Sequence, residues 1–452
     1  MTSSDTLRRC LAAIAATEGE GALAFTQVYE QTAYVEASAA DRRREQDSPL
    51  STIDGTIVAV KDLFDVQGHT TWAGSRVLQN APPASADAPA VARLRLAGGV
   101  IIGKTNMTEF AFSGIGLNPH FGTPANLYGR SALRKIPGGS SSGAAVAVSD
   151  GMAEIGLGTD TGGSVRIPAA LCGLVGWKPT ARRISLEGVW PLAPTFDSVG
   201  VIAGSVRRCA EADAALTAAA ASDSGSATES PAASRLCIAR LGGYVESDLE
   251  PVVAQSYERA LKRLSAAGVR IVELDMPELE QVPRQQPGVT MTTYEAFQTH
   301  AALLDKYGQL YDPRVRSRLE PGRRITRAQY QAAAEIRQHL QVAFGKALQG
   351  FDACVCPTVK MTAPPFSAFE CDADYIAINR ALLRNTSLFN LLDGCALTLP
   401  CHEGSEPPVG LSLASAGGSD LTLLTVARTV EPIVSETAAA LLRSPSLLNP
   451  TG

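Results

Sequence analysis

From about Ile53 onward, short apolar runs alternate with stretches whose apolar residues recur at helical spacing. Thr56–Val60 reads as a strand, Ala88–Ala97 as a helix and Gly99–Ile102 as a second strand. An alanine-rich helical stretch, Ala144–Val148, precedes the apolar run Ile155–Leu157. Further along, Val253, Tyr257, Leu261 and Leu264 share one helix face, Gly268 ends that helix, and Val269–Leu274 forms the next strand. Strands are also expected at Ala353–Cys356, Ala396–Leu399 and Val409–Leu413. Such alternation of strands and helices is βαβ texture, which implies an α/β fold with a largely parallel, buried sheet.

Ala218–Ser234 interrupts this pattern with a run of Ala, Ser, Asp and Gly that has little to bury. Two readings stand open there, a surface loop within one domain or an interdomain linker; the texture continues unchanged on both sides, which favours the loop. At the N-terminus, Leu7, Leu11 and Ile14 fall at helical spacing, and Glu18 and Glu20 cut the apolar stretch short of a secretion signal. No run approaches the roughly 20 apolar residues that a bilayer span needs. The chain is therefore expected to be soluble and cytoplasmic.

With 452 residues, 45% of them apolar, the chain can bury a large core without staples. A net charge of −5 argues against a nucleic-acid or anionic-membrane partner, because either would leave a basic excess. The nine scattered cysteines read as reduced core thiols. Cys354-Val355-Cys356 is spaced too tightly for a zinc knuckle and suits an alternating strand, so no metal and no cofactor are expected. A homodimer is left open.

Glycine and serine concentrate in two loops, Pro137-Gly138-Gly139-Ser140-Ser141-Ser142-Gly143 and Gly158-Thr159-Asp160-Thr161-Gly162-Gly163-Ser164-Val165-Arg166-Ile167-Pro168. Such loops are commonly turns, since glycine supplies positive φ and serine bonds its own backbone. The chemical alternatives narrow by inspection. Gly139-Ser140-Ser141-Ser142-Gly143 fits a nucleophile elbow, but no strand precedes it, and the phosphate loop and the dinucleotide fingerprint lack their required contexts. No lysine has a serine three residues before it, and His69, His120, His300, His339 and His402 read as surface or structural residues. A serine nucleophile still needs a base. Lys61 closes the apolar strand at its carboxyl end, where α/β folds place their sites and where burial lowers a lysine pKa. A lysine snorkelling to solvent, or paired with Asp62 or Asp65, fits that position as well.

Lys61 in Val60-Lys61-Asp62, Gly103-Lys104-Thr105-Asn106-Met107-Thr108-Glu109-Phe110, the Gly-Gly-Ser-Ser loop, Gly162-Gly163-Ser164-Val165-Arg166-Ile167-Pro168 and Gly176-Trp177-Lys178-Pro179-Thr180 together resemble the amidase signature family. The likeness is strongest over about 54–206 and looser through Cys356-Pro357-Thr358 and Asn385–Pro400. It implies a single amidase domain over residues 1–452, built on a large twisted mixed β-sheet covered by helices on both faces, with residues 235–452 contributing to the substrate pocket. It also implies a Ser–cisSer–Lys triad of Ser164 (nucleophile), Ser140 (relay) and Lys61 (base), with a cis Gly139–Ser140 peptide and an oxyanion hole of backbone N–H groups from Thr161, Gly162, Gly163 and Ser164. Ser141, Asp160 and Arg166 take supporting roles, Ser141 beside Lys61 or the oxyanion loop. Ser142 departs from the glycine that many relatives have there. The substrate is expected to be a small-molecule amide. Two narrower readings stand beside this one. The first is the glutaminase-like component of a tRNA-dependent glutamine amidotransferase, its A subunit; the second is an allophanate- or carboxybiuret-type hydrolase, with Arg314, Arg316, Arg318, Arg323 and Arg324 as carboxylate anchors or as a solvated helix face. Phe110, Phe112 and Trp72 are candidates for lining an apolar pocket.

Overall fold

A computed structural model describes residues 1–217 and 230–435. Its eleven strands are β1 (Phe25–Val28), β2 (Ile57–Lys61), β3 (Val100–Thr105), β4 (Ile155–Asp160), β5 (Val175–Lys178), β6 (Ser198–Ala203), β7 (Cys237–Leu241), β8 (Arg270–Leu274), β9 (Ala353–Pro357), β10 (Cys395–Pro400) and β11 (Gly410–Ser415). They form one sheet in the order β1-β3-β2-β4-β6-β5-β10-β11-β9-β7-β8.

The sheet is mixed, as the family resemblance implies, and not largely parallel as the strand–helix alternation alone suggests. Parallel pairing is confined to β2 with β3 and β4, and to β7 with β8 and β9. Between these groups the strands run antiparallel. The reason lies in the connections, since antiparallel neighbours need no crossover helix. β5 and β6 are joined by a helix-free loop, and β10 and β11 by a short one.

Alternate residues of β2 show why the sheet is apolar throughout. Ile57 and Ala59 pack with Leu7, Ala33 and Val146 from the helices Ser3–Ala15, Glu30–Glu45 and Ser142–Ser149. Val58 and Val60 face the opposite side, in the core cluster that also holds Val91 and Cys209 from the helices Pro89–Leu96 and Val206–Thr217. Burial on both faces selects a continuous β-branched run in place of alternation. The helix Pro251–Ala266 buries the expected face, and Gly268, at φ +94°, supplies the left-handed residue past its end. Cys354 and Cys356 are both fully buried on β9. Most of the run expected as a loop, residues 218–229, lies outside the described residues; Pro231, Ala233, Ser234 and Arg235 just beyond it are not buried.

Candidate active site

The parallel register of β2 and β4 pairs Val58 with Ile155 and Val60 with Leu157, so their carboxyl ends lie side by side. Lys61 ends β2, and Thr159 and Asp160 end β4. Lys61 is fully buried and turns away from Asp62. Its Nζ donates to Ser140 Oγ at 2.8 Å and to Thr159 Oγ1 at 2.9 Å. Asp62 instead pairs with the buried Lys104, 3.2 Å away. Burial pushes the Lys61 pKa down from 10.5 to about 7, with the charges of Asp160 and Asp197 opposing that shift.

Ser140 is fully buried and follows a cis peptide bond to Gly139. The helix Ser142–Ser149 starts two residues later. The Ser141 N–H donates to the Ser164 carbonyl at 3.2 Å and ties the two serine loops together. The Ser141 hydroxyl is buried without a partner among the described residues; of the two places expected for Ser141, its backbone N–H meets the Ser164 loop, while the Thr159 hydroxyl stands beside Lys61. Ser164, 4% exposed, stands ahead of the helix Arg166–Leu171, and its hydroxyl makes no hydrogen bond among the described residues.

Asp160 organises the loop that carries Ser164. Its carboxylate accepts from the N–H groups of Gly163 and Val165, from Arg166 Nε and Nη2 at 3.0 and 2.9 Å, and from Asn390 Nδ2 at 2.9 Å. Burial alone would raise this carboxyl, but the Arg166 guanidinium and the hydrogen bonds outweigh it and hold the pKa at about 2. The Gly163 N–H, expected among the oxyanion donors, is thus already engaged with Asp160 at 2.9 Å, which leaves Thr161, Gly162 and Ser164 as candidates. Thr161 Oγ1 donates to Asp197, which also accepts from the N–H groups of Leu192 and Ala193. Thr386 Oγ1 donates to the Gly162 carbonyl at 2.7 Å.

Gly163 has φ +131°, and a Cβ there would lie 2.2 Å from Thr386 Oγ1 and 2.8 Å from Ile167 Cδ1. Gly163→Ala is therefore expected to cost roughly 1–3 kcal/mol through backbone strain and overpacking, with a matching loss of activity. An unchanged midpoint in denaturant unfolding would contradict this.

Thr159, Asp197, Thr386 and Asn390 were not singled out from the sequence. Thr386 and Asn390 fall inside the Asn385–Pro400 stretch, but a polar residue on a helix gives no sign of a partner more than 220 positions away. Phe110 is core, packed against His300 and Tyr311, and Trp72 stacks on Phe121. His300 is buried and bonds Tyr311 through Nδ1, while His120 bonds Glu109. A surface cavity of about 680 Å³ beside Met276, His339 and Val342 includes none of the serine-loop residues. Among the described residues no group of three or more His, Cys, Asp or Glu side chains is arranged to hold a metal, and no helix is long and apolar enough to cross a membrane.

The sequence profile of the Amidase family matches residues 5–424. The chain belongs to the amidase family. It is 33% identical over 422 residues to 2-amino-5-chloromuconic acid deaminase of Comamonas testosteroni, covering 91% of this chain and 88% of that protein. It is 31% identical over 462 residues to the A subunit of glutamyl-tRNA(Gln) amidotransferase from Roseiflexus sp. (strain RS-1), covering 94% and 92%. A crystal structure described as an amidase superposes with a TM-score of 0.84 at 31% identity, covering 96% of this chain and 97% of that one. The protein is thus an amidase, a hydrolase acting on carbon–nitrogen bonds other than peptide bonds.

Proposed function

We propose that this amidase cleaves a small-molecule carboxamide to a carboxylate and ammonia or an amine through an acyl-enzyme on Ser164. The observation that carries the reading is the buried Lys61 Nζ, 2.8 Å from Ser140 Oγ, with its pKa lowered to about 7 by burial. An amine that is neutral near pH 7 accepts a proton from Ser140, and Ser140 in turn accepts one from Ser164 as that oxygen attacks the carbonyl. The relay then runs backwards and protonates the departing nitrogen, without which an amide is a poor leaving group. Water closes the cycle on the acyl-enzyme. The resting Ser164 hydroxyl is unengaged, and catalytic hydrogen bonds commonly tighten only once substrate is bound. Backbone N–H groups of Thr161, Gly162 and Ser164 serve the tetrahedral oxygen, each such donor typically contributing 10²–10³ in rate.

The reading is tested by assaying the isolated chain for ammonia release across aryl, aliphatic and urea-like amides and by labelling it with a fluorophosphonate. We expect turnover of at least one simple amide and a single adduct on Ser164. An adduct on Ser141, or a folded protein silent on every amide, would count decisively against the assignment. The amidotransferase relative supports a second reading, in which the chain supplies ammonia to partner proteins. Amide hydrolysis by the chain alone, with no glutaminase activity, would dismiss it.

A further inference from the structure

The helix Asp372–Leu391 runs along the whole candidate site. Asn390, Thr386, Leu383, Asn379 and Tyr375 are spaced three or four residues apart and so share one face. Asn390 bonds Asp160, and Thr386 bonds the Gly162 carbonyl. Leu383 lies beside Gly162, where an added Cβ would be 3.3 Å from its Cδ2. Asn379 Oδ1 accepts from Ser113 Oγ at 3.0 Å and from the Gly114 N–H at 2.8 Å. The Gly114 carbonyl in turn accepts from the Gly139 N–H at 2.9 Å, next to Ser140. The far end of this helix therefore stands at the wall that continues from the serine loops through Gly114 to Phe112.

At that end the arginine cluster divides. Arg316, Arg323 and Arg324 face solvent, whereas Arg314 lies over the Tyr375 ring at 4.8 Å and Arg318 over the Phe112 ring at 4.5 Å. Elsewhere partly buried guanidinium groups meet carboxylates, as Arg43 does with Asp54, Arg130 with Asp150 and Arg183 with Asp213, or carbonyl oxygens, as Arg93 does with Leu216 and Arg384 with Ser247 and Val245. Arg318 meets neither. It has no ion pair or hydrogen bond among the described residues, and its Nη1 is closed to solvent without a partner there. Burial lowers its pKa, opposed by Tyr375 and reinforced by the cation Arg380. A half-buried cation without a counter-ion costs folding free energy unless an anion arrives from outside.

We infer that the amide substrate carries a carboxylate, bound by Arg318 beside Phe112 and Tyr375. The inference rests on the hydrolase reading above and narrows it to acidic amides. Eight residues separate Leu383 from Tyr375, about 12 Å of helix, so the carboxylate lies several carbons from the scissile carbonyl. A planar guanidinium packed on an aromatic ring suits bidentate capture of that group.

The experiment measures kcat/KM for ω-carboxy amides from succinamic to sebacamic acid against neutral amides of equal length, in wild type, Arg318→Met and Arg318→Lys, with thermal unfolding as the check on folding. Wild type is expected to favour an acid over its neutral counterpart. Arg318→Met should lower that ratio by about 10- to 100-fold, the range of a lost charge-assisted hydrogen bond, and Arg318→Lys should lower it less. A wild type without preference, or an Arg318→Met that loses acid and neutral amide in proportion, overturns the inference while leaving the amidase reading intact. Should no amide turn over and Ser164 resist labelling, sebacate titrated calorimetrically into Ser164→Ala still decides: saturable binding abolished by adding Arg318→Met supports the subsite, and no binding refutes it.

Discussion

Lys61→Met is expected to lower kcat/KM for amide hydrolysis by about 10²- to 10⁴-fold, the usual contribution of a positioned general base. Methionine keeps the length of the stem and leaves no buried charge unpaired. The fold should survive, with Ser140 Oγ and Thr159 Oγ1 losing one partner each at about 1–3 kcal/mol per group. Wild-type activity should also report the base directly. Burial lowers the Lys61 pKa to about 7, so the neutral amine is scarce below that pH and dominant above it. The kcat/KM of the free enzyme should therefore climb about tenfold per pH unit below pH 7 and level off above it. Ser140→Ala should be milder, because a water molecule partly bridges the gap between Lys61 and Ser164. Near wild-type activity in Lys61→Met, with an unaltered pH profile, would end the triad assignment.

The largest loss of stability should follow from Arg166→Met. Arg166 and Asp160 are both fully buried, and the guanidinium makes two bonds to the carboxylate and a third, at 2.8 Å, to Asn390 Oδ1. Removing one partner of such a pair leaves the other charge stranded in the interior and typically costs 3–5 kcal/mol. Unfolding in guanidinium chloride should show this as a lower midpoint at unchanged slope. The pH dependence supplies a second readout. Asp160 has its folded pKa depressed from 3.8 to about 2, so between those values the unfolded chain binds more protons and stability rises with pH. In wild type this contribution is intact above about pH 4 and is lost as the pH falls through 2. Without Arg166 the folded pKa moves up, and the acid-induced loss should begin in milder acid. An Arg166→Met protein as stable as wild type would mean that Asp160 is held by Asn390 and the loop N–H groups alone.

How much of this was legible beforehand follows from the range of each interaction. The β2 strand and Lys61 at its end could be read because Ile57-Val58-Ala59-Val60 is a local pattern. Helix Pro251–Ala266 was readable for the same reason, its apolar face recurring every three or four residues. The direction of the middle strands was not legible, because an antiparallel return through a helix-free loop leaves no periodic trace. Lys61 and the two serine loops were grouped through their likeness to a family; position alone favoured a lysine snorkelling to solvent or paired with Asp62 or Asp65, whereas Asp62 pairs with Lys104. The sequence left Ser141 beside Lys61 or the oxyanion loop; its N–H bonds the Ser164 carbonyl, and the parallel pairing of β2 with β4 delivers the Thr159 hydroxyl to Lys61. The arginine cluster read as uniform along the chain. Only packing against Phe112 and Tyr375 separates Arg314 and Arg318 from their neighbours.

The strand order carries a consequence for biosynthesis. β1 to β6 occupy one side of the sheet and β7 to β11 the other, and the two groups meet only where β5 pairs with β10 through Ala396–Lys178, Leu397–Trp177 and Thr398–Gly176. As the nascent chain leaves the ribosome, β5 presents an unpaired backbone edge until residues 395–400 emerge, more than 215 positions after Lys178. At about 5–20 residues per second that interval is roughly 10–40 s. Asn390, which braces Asp160, arrives only at its end. The Ser164 loop is thus translated early and set late, and the exposed β5 edge is the surface that a chaperone would shield meanwhile.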